Sequence, residues 1–179
     1  MGKKSISLIM VFFIVVLFYA GTNPFSNESN EIITFSDGVM SFDYPDSFSS
    51  AEYTKHNINA SGDILNEIAY FKGKNTLHKH NFIVFKNVTA TSATELINNY
   101  RTNVESNSSD EIAYNSIETN PNGVVVEKII GKQDDTLATM SFNMVFKVKD
   151  TVYLISVYGF ESDEQEINET ANTIFQSIK

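Results

Sequence analysis

The 179 residues contain no cysteine and no tryptophan, only 3 prolines, and 13 basic against 22 acidic side chains. Without cysteine there is no disulfide framework, no thiolate metal site, no cysteine nucleophile and no lipid-modified cysteine of the bacterial lipoprotein kind. The shortage of Lys and Arg excludes nucleic acid as a partner, because phosphate binding needs clustered cations and only Arg101 and scattered lysines are on offer. Setting Lys3 and Lys4 apart leaves 11 basic residues against 22 acidic ones, and such a surface repels polyanions. A Gly-rich phosphate loop, a nucleophile elbow and a zinc-protease helix motif are also missing, so no catalytic constellation is assembled.

What is abundant is apolar and aromatic: 42% of residues are hydrophobic, with 14 Phe and 8 Tyr, enough for one core in a chain of this length. Residues 1–21 read as a signal peptide or a signal anchor, in which Lys3 and Lys4 precede a run from Ile6 to Ala20 that is apolar except for Ser7. As a helix that run spans about 22 Å, short of a hydrocarbon layer about 30 Å thick. A cut after Ala20 places Phe18 at the −3 position, whereas a cut after Thr22 places Ala20 there, so both a cleaved and an uncleaved fate stay open. Either way the lysines are retained inside and the remainder is exported, to the cell membrane or beyond it. Five Asn-x-Ser/Thr sequons, at Asn27, Asn59, Asn87, Asn107 and Asn168, are compatible with export but are expected by chance in so Asn- and Ser-rich a chain.

Residues 22–31 read as a linker and 32–179 as one α+β domain. Ile32 to Phe35, Asp37-Gly38 and Val39 to Tyr44 predict a hairpin whose second strand turns Met40, Phe42 and Tyr44 to one face. Pro45 ends that strand, and the stretch to Gly62 reads as polar and irregular, with a short strand near Ala51 to Lys55. Strands follow over Ile64 to Lys72 and Asn81 to Val88. Ser92-Ala93-Thr94-Glu95 is a capping box opening a helix to about Glu105, with Leu96, Ile97, Tyr100 and Val104 on its stripe. Three more strands are predicted near Glu111 to Glu118, Val124 to Lys132 and Thr136 to Lys147. Val152 to Phe160 is the most hydrophobic strand and is expected to be central. A last helix from about Asp163 to Ile178, with Ser162 as N-cap, carries Ile167, Ala171, Ile174, Phe175 and Ile178 on one stripe.

Few residues invite a chemical role. His78 and His80 share one side of an extended segment, the spacing at which two imidazoles can hold a metal; a third ligand is not evident, and solvated loop histidines are the plainer expectation. His56 is a lone histidine in a polar loop with nothing beside it to activate it. Asp134-Asp135 and Asp163-Glu164 lack the spacing of a calcium loop and are explained by turn chemistry and helix capping. No cofactor is implied.

The hairpin ending in Phe42-Asp43-Tyr44-Pro45-Asp46-Ser47-Phe48, with the closing strand and helix from Tyr153 to Lys179, resembles the PsbP-like family. Its members show Tyr-Pro followed closely by an aromatic, usually Trp, and finish with an apolar strand, an acidic helix start and a Ser-Phe-Lys-like end. Phe48 stands here where Trp is usual, and the chain ends Gln176-Ser177-Ile178-Lys179. The resemblance implies an α/β/α sandwich on a mostly antiparallel sheet, preceded here by the apolar N-terminal helix, as in the extrinsic photosystem II protein and its non-photosynthetic prokaryotic relatives. It implies no activity, since fold does not fix function. The expected function is an exported or membrane-anchored, non-enzymatic binding or accessory module with an envelope protein as partner. The alternative is a solute- or polymer-binding domain, hydrolytic in one variant, with a pocket at the sheet edge, and a structural role would show as self-association.

Overall fold

The computed structural model describes residues 31–51, 57–60, 63–74, 80–87, 92–106, 109–134 and 136–179. The N-terminal apolar segment, His56, His78 and Asp135 lie outside the described residues. Among the described residues no helix is long and apolar enough to cross a membrane.

The elements run β1 (Ile32–Ser36), β2 (Ser41–Pro45), β3 (Phe48–Ser50), β4 (Asn57–Ala60), β5 (Asp63–Gly73), β6 (Asn81–Asn87), α1 (Ala93–Ser106), β7 (Asp110–Thr119), β8 (Val125–Gln133), β9 (Thr139–Val148), β10 (Thr151–Phe160), a 3₁₀ turn (Glu161–Asp163) and α2 (Glu164–Ser177). The fold is α+β: an eight-stranded sheet in the order β3-β5-β6-β10-β9-β8-β7, with β4 beside β5, and a separate two-stranded sheet made by β1 and β2. Every pairing among the described residues is antiparallel. The central place of β10 follows from its composition. Tyr153, Ile155 and Val157 are buried toward one face and Val152 toward the other, so both faces need cover.

That cover makes three layers. On one face lie α2, through Ile167, Ala171, Ile174 and Phe175, and the β1–β2 hairpin, through Met40, Phe42 and Tyr44. On the other face α1 seats Leu96 and Ile97 against Leu65, Phe85, Ile129, Val145 and Val152. The phenylalanine-rich composition is spent on the hairpin side, where Phe71 stacks on Phe82 at 4.3 Å and Phe42, Tyr44 and Phe48 surround the pair. Phe48, the aromatic three residues after Pro45, is therefore a core residue.

The structure departs from the sequence expectation in three places. The stretch after Pro45 is not irregular throughout: β3 and β4 pair with β5, and the strand expected at Ala51 to Lys55 falls mostly outside the described residues. Three- and four-residue strands are too short to print a periodicity. The hairpin loop is held by the Asp37 carboxylate, whose Oδ1 accepts from the amides of Val39 and Met40 (both 2.9 Å), and only Gly38, at φ +87°, takes the left-handed conformation. Ser162 does not cap α2; it sits in the 3₁₀ turn and its hydroxyl donates to Asp163 Oδ1 at 3.3 Å. Ser92 does cap α1, accepting from the Glu95 amide at 3.2 Å.

Candidate functional site

Strand alternation and register place a second set of side chains on the α1 face, beyond the part that helix covers. In the register, Asn81 stands opposite Tyr158, Tyr158 opposite Ser141, and Ser141 opposite Gly131, which puts these four in one row across β6, β10, β9 and β8. One pleat further toward the sheet end, Phe160 faces Thr139, Thr139 faces Gln133, and Gln133 faces Asp110, a second row that reaches edge strand β7. Deeper along the same face come Ile129 and Val145, which α1 covers. The two rows are the open end of the sheet.

They line a groove of about 480 Å³, within the range of small-ligand sites. Its concavity has a sequence cause: Ser141 on β9 and Gly131 on β8 are small residues lying to one side of the taller wall that Tyr158 and Phe160 raise on β10. Next to Ser141 on the same face of β9, the buried Asn143 donates from Nδ2 to Ser141 Oγ at 2.9 Å and so fixes that hydroxyl. At the rim, Lys132 is held by Glu161 at 2.6 Å and Glu164 at 3.5 Å. The Glu161 hydrogen bond pushes the Lys132 ammonium above its ordinary range, so it stays charged and engaged. A second concavity, about 690 Å³, follows the seam where the hairpin meets β5 and is walled by Phe35, Tyr44 and Phe71, side chains that already belong to the core.

His80 does not line the groove. His80 is buried, contrary to the expectation of a solvated loop residue. Its Nε2 lies 3.1 Å from Thr170 Oγ1 on α2, and its ring meets Phe48 edge-on at 5.0 Å. It joins the start of β6 to the last helix, on the hairpin side of the sheet. Among the described residues no group of three His, Asp or Glu side chains gathers as a metal set. Of the acidic pairs, the Asp134 amide donates to the Ser109 carbonyl at 2.8 Å, Asp163 is buried beside Ser162, and Glu164 meets Lys132. The groove residues were missed in the sequence because Asn, Gln, Ser and Thr in strands carry no motif; only the alternation of Ser141 and Asn143 with Phe142 and Met144, and of Tyr158 and Phe160 with Val157 and Gly159, marks that face as semi-polar.

No protein-family model and no curated protein matches this sequence. Solved structures do match in shape. The architecture is that of a PsbP-like α/β/α sandwich. The solution structure of cyanobacterial PsbP (CyanoP) from Synechocystis is 12% identical, covers 84% of this chain and 92% of its own, and superposes with a TM-score of 0.55. LpqN of Mycobacterium tuberculosis, a protein involved in cell envelope biogenesis, is 9% identical, covers 84% of this chain and 91% of its own, and superposes with a TM-score of 0.53. At these identities the likeness is one of fold.

Proposed function

We propose that this chain is an exported, membrane-proximal binding module without catalytic activity, which holds its ligand in the sheet-end groove. The observation that carries the reading is the groove itself. It combines aromatic walls with a few fixed polar groups, the composition of a recognition site. Its two carboxylates do not form an acid and base pair. Successive strand residues point to opposite faces, so Asp110 goes with Gln133 to the α1 face while Glu111 goes with Lys132 to the other. That arrangement weighs against the hydrolytic variant. Export is supported by Lys3 and Lys4 followed by the apolar run Ile6 to Ala20, and the involvement of LpqN in cell envelope biogenesis agrees with it.

The test is site-specific photo-crosslinking in intact cells producing the full chain. One photoreactive residue replaces Phe160 in the groove and another replaces Lys149, in the turn at the far end of β9 and β10. A discrete adduct from position 160 that is absent from position 149, in the membrane or exported fraction, is the expected result. Equal labelling from both positions, or an intact chain in the cytosol, would sink the proposal.

A further inference from the structure

Resting on the groove reading above, we infer that the ligand class is a neutral polyhydroxylated ring compound, a short oligosaccharide or the glycan part of a larger molecule. The polar side chains that strand alternation brings to the groove face are carboxamides, hydroxyls and one carboxylate, Asn81, Gln133, Thr139, Ser141 and Asp110, while Glu111 and Lys132 border the groove from strand positions that face the other way. Carboxamides and hydroxyls each offer both a donor and an acceptor, and the carboxylate offers acceptors. A sugar hydroxyl, itself donor and acceptor, is complementary to all of them. A sugar ring also has an apolar C–H face, and the walls Tyr158 and Phe160, two residues apart on one strand face, are flat apolar surfaces to receive it.

Competing ligand chemistries fit less well. An anion would meet Asp110, and Lys132 is already engaged by Glu161 and Glu164. A purely apolar ligand would strip water from the amide and hydroxyl row without replacing its hydrogen bonds, which disfavours binding. Dimensions agree as well: from β6 to β7 the rows cross four strand spacings, about 19 Å at 4.7–4.9 Å each, which accommodates several linked rings along the groove. Asn143, buried beside Ser141 on the same strand face, acts as a positioning residue by orienting the Ser141 hydroxyl.

The experiment is a glycan array probed with the full chain, held in a zwitterionic, sugar-free detergent, followed by titration of the retained oligosaccharide. Spermidine and an apolar fluorescent dye are titrated in parallel. We expect retention of neutral oligosaccharides, at least about a tenfold loss of affinity in Tyr158→Ala, equivalent to about 1.4 kcal/mol, and near-unchanged affinity in Tyr158→Phe, which keeps the ring. Lys149→Ala, at the far end of the strands, is the control and changes nothing. Both tyrosine variants should retain the parent's thermal midpoint within a few degrees, since Tyr158 is only half-buried. If no neutral glycan is retained while spermidine or the dye binds in a Tyr158-dependent way, the ligand class is wrong and the groove reading survives. If nothing binds, or binding ignores Tyr158, both fall.

Discussion

A single carboxylate, Asp37, holds more of this domain together than its exposed position suggests. Its Oδ1 closes the hairpin loop on two amides, and its Oδ2 accepts from the fully buried Tyr153 hydroxyl at 2.8 Å, tying the loop to the central strand. Burial pushes the Asp37 carboxyl up, but the Met40 and Val39 amides and the Tyr153 hydroxyl outweigh it and hold the group below the usual carboxylate range. The Tyr153 hydroxyl is pushed far above its own ordinary value, by burial first and by Asp37 second. A carboxyl depressed in the folded state gives stability that is fully present above its unfolded value and is lost as pH falls through the folded one. Urea midpoints measured from about pH 5 down to about pH 2 should therefore drop in the parent and drop less steeply in Asp37→Asn. Tyr153→Phe, measured at pH 7, should cost roughly 1–2 kcal/mol for the lost charge-assisted bond; an unchanged midpoint in both variants would show that the latch contributes nothing.

Elements are joined by residues whose partners are distant in sequence, and this decides what could be read in advance. Helix α1 was legible because its cap and stripe are local, and Ser92→Ala should lower stability by about 1 kcal/mol, measured by thermal unfolding. The end of α2 is another matter. Its last carbonyls are satisfied by the turn after β7: Asn120 Nδ2 donates to the carbonyls of Phe175 (3.0 Å) and Ile178 (2.7 Å), and Asn122 Nδ2 donates to Ile178 (3.0 Å). The Asn120 Oδ1 meanwhile accepts from the amides of Asn122 and Val124 and shapes the turn, in which Gly123 takes φ +80°. The sequence shows Asn-Pro-Asn-Gly as a turn and nothing more, because a cap supplied from 55 residues away leaves no local trace. Asn120→Ala should cost roughly 3 kcal/mol, more than the Ser92 variant, since it strands several buried groups at once; paired urea curves at one pH decide the order. The groove was illegible for the same reason. Its residues come from five strands, and only the register brings them into rows.

At the scale of the whole molecule, the first and last described segments close on each other. Ser41 and Lys179 exchange two backbone hydrogen bonds (2.9 and 3.0 Å), the Ser177 hydroxyl accepts from the Asp43 amide at 2.8 Å, and Ile178 is fully buried between them. Among the described residues the β1–β2 hairpin shares no strand pairing with the large sheet, so side-chain burial, the Asp37–Tyr153 hydrogen bond and this C-terminal clasp are what seat it over the aromatic cluster. Such contacts span most of the chain and form only after the sheet is in place, because loop-closure entropy opposes them early in folding. Ile178→Ala leaves the backbone clasp possible but opens a cavity beneath it, and should cost about 2–5 kcal/mol. The loss should also be uneven. If the hairpin is a separate cooperative unit held by the clasp, amide exchange in this variant will quicken across β2 while β9 and β10 slow-exchange in proportion to global stability. If exchange quickens equally in all strands, hairpin and sheet unfold together, and the C-terminus is an ordinary part of one core.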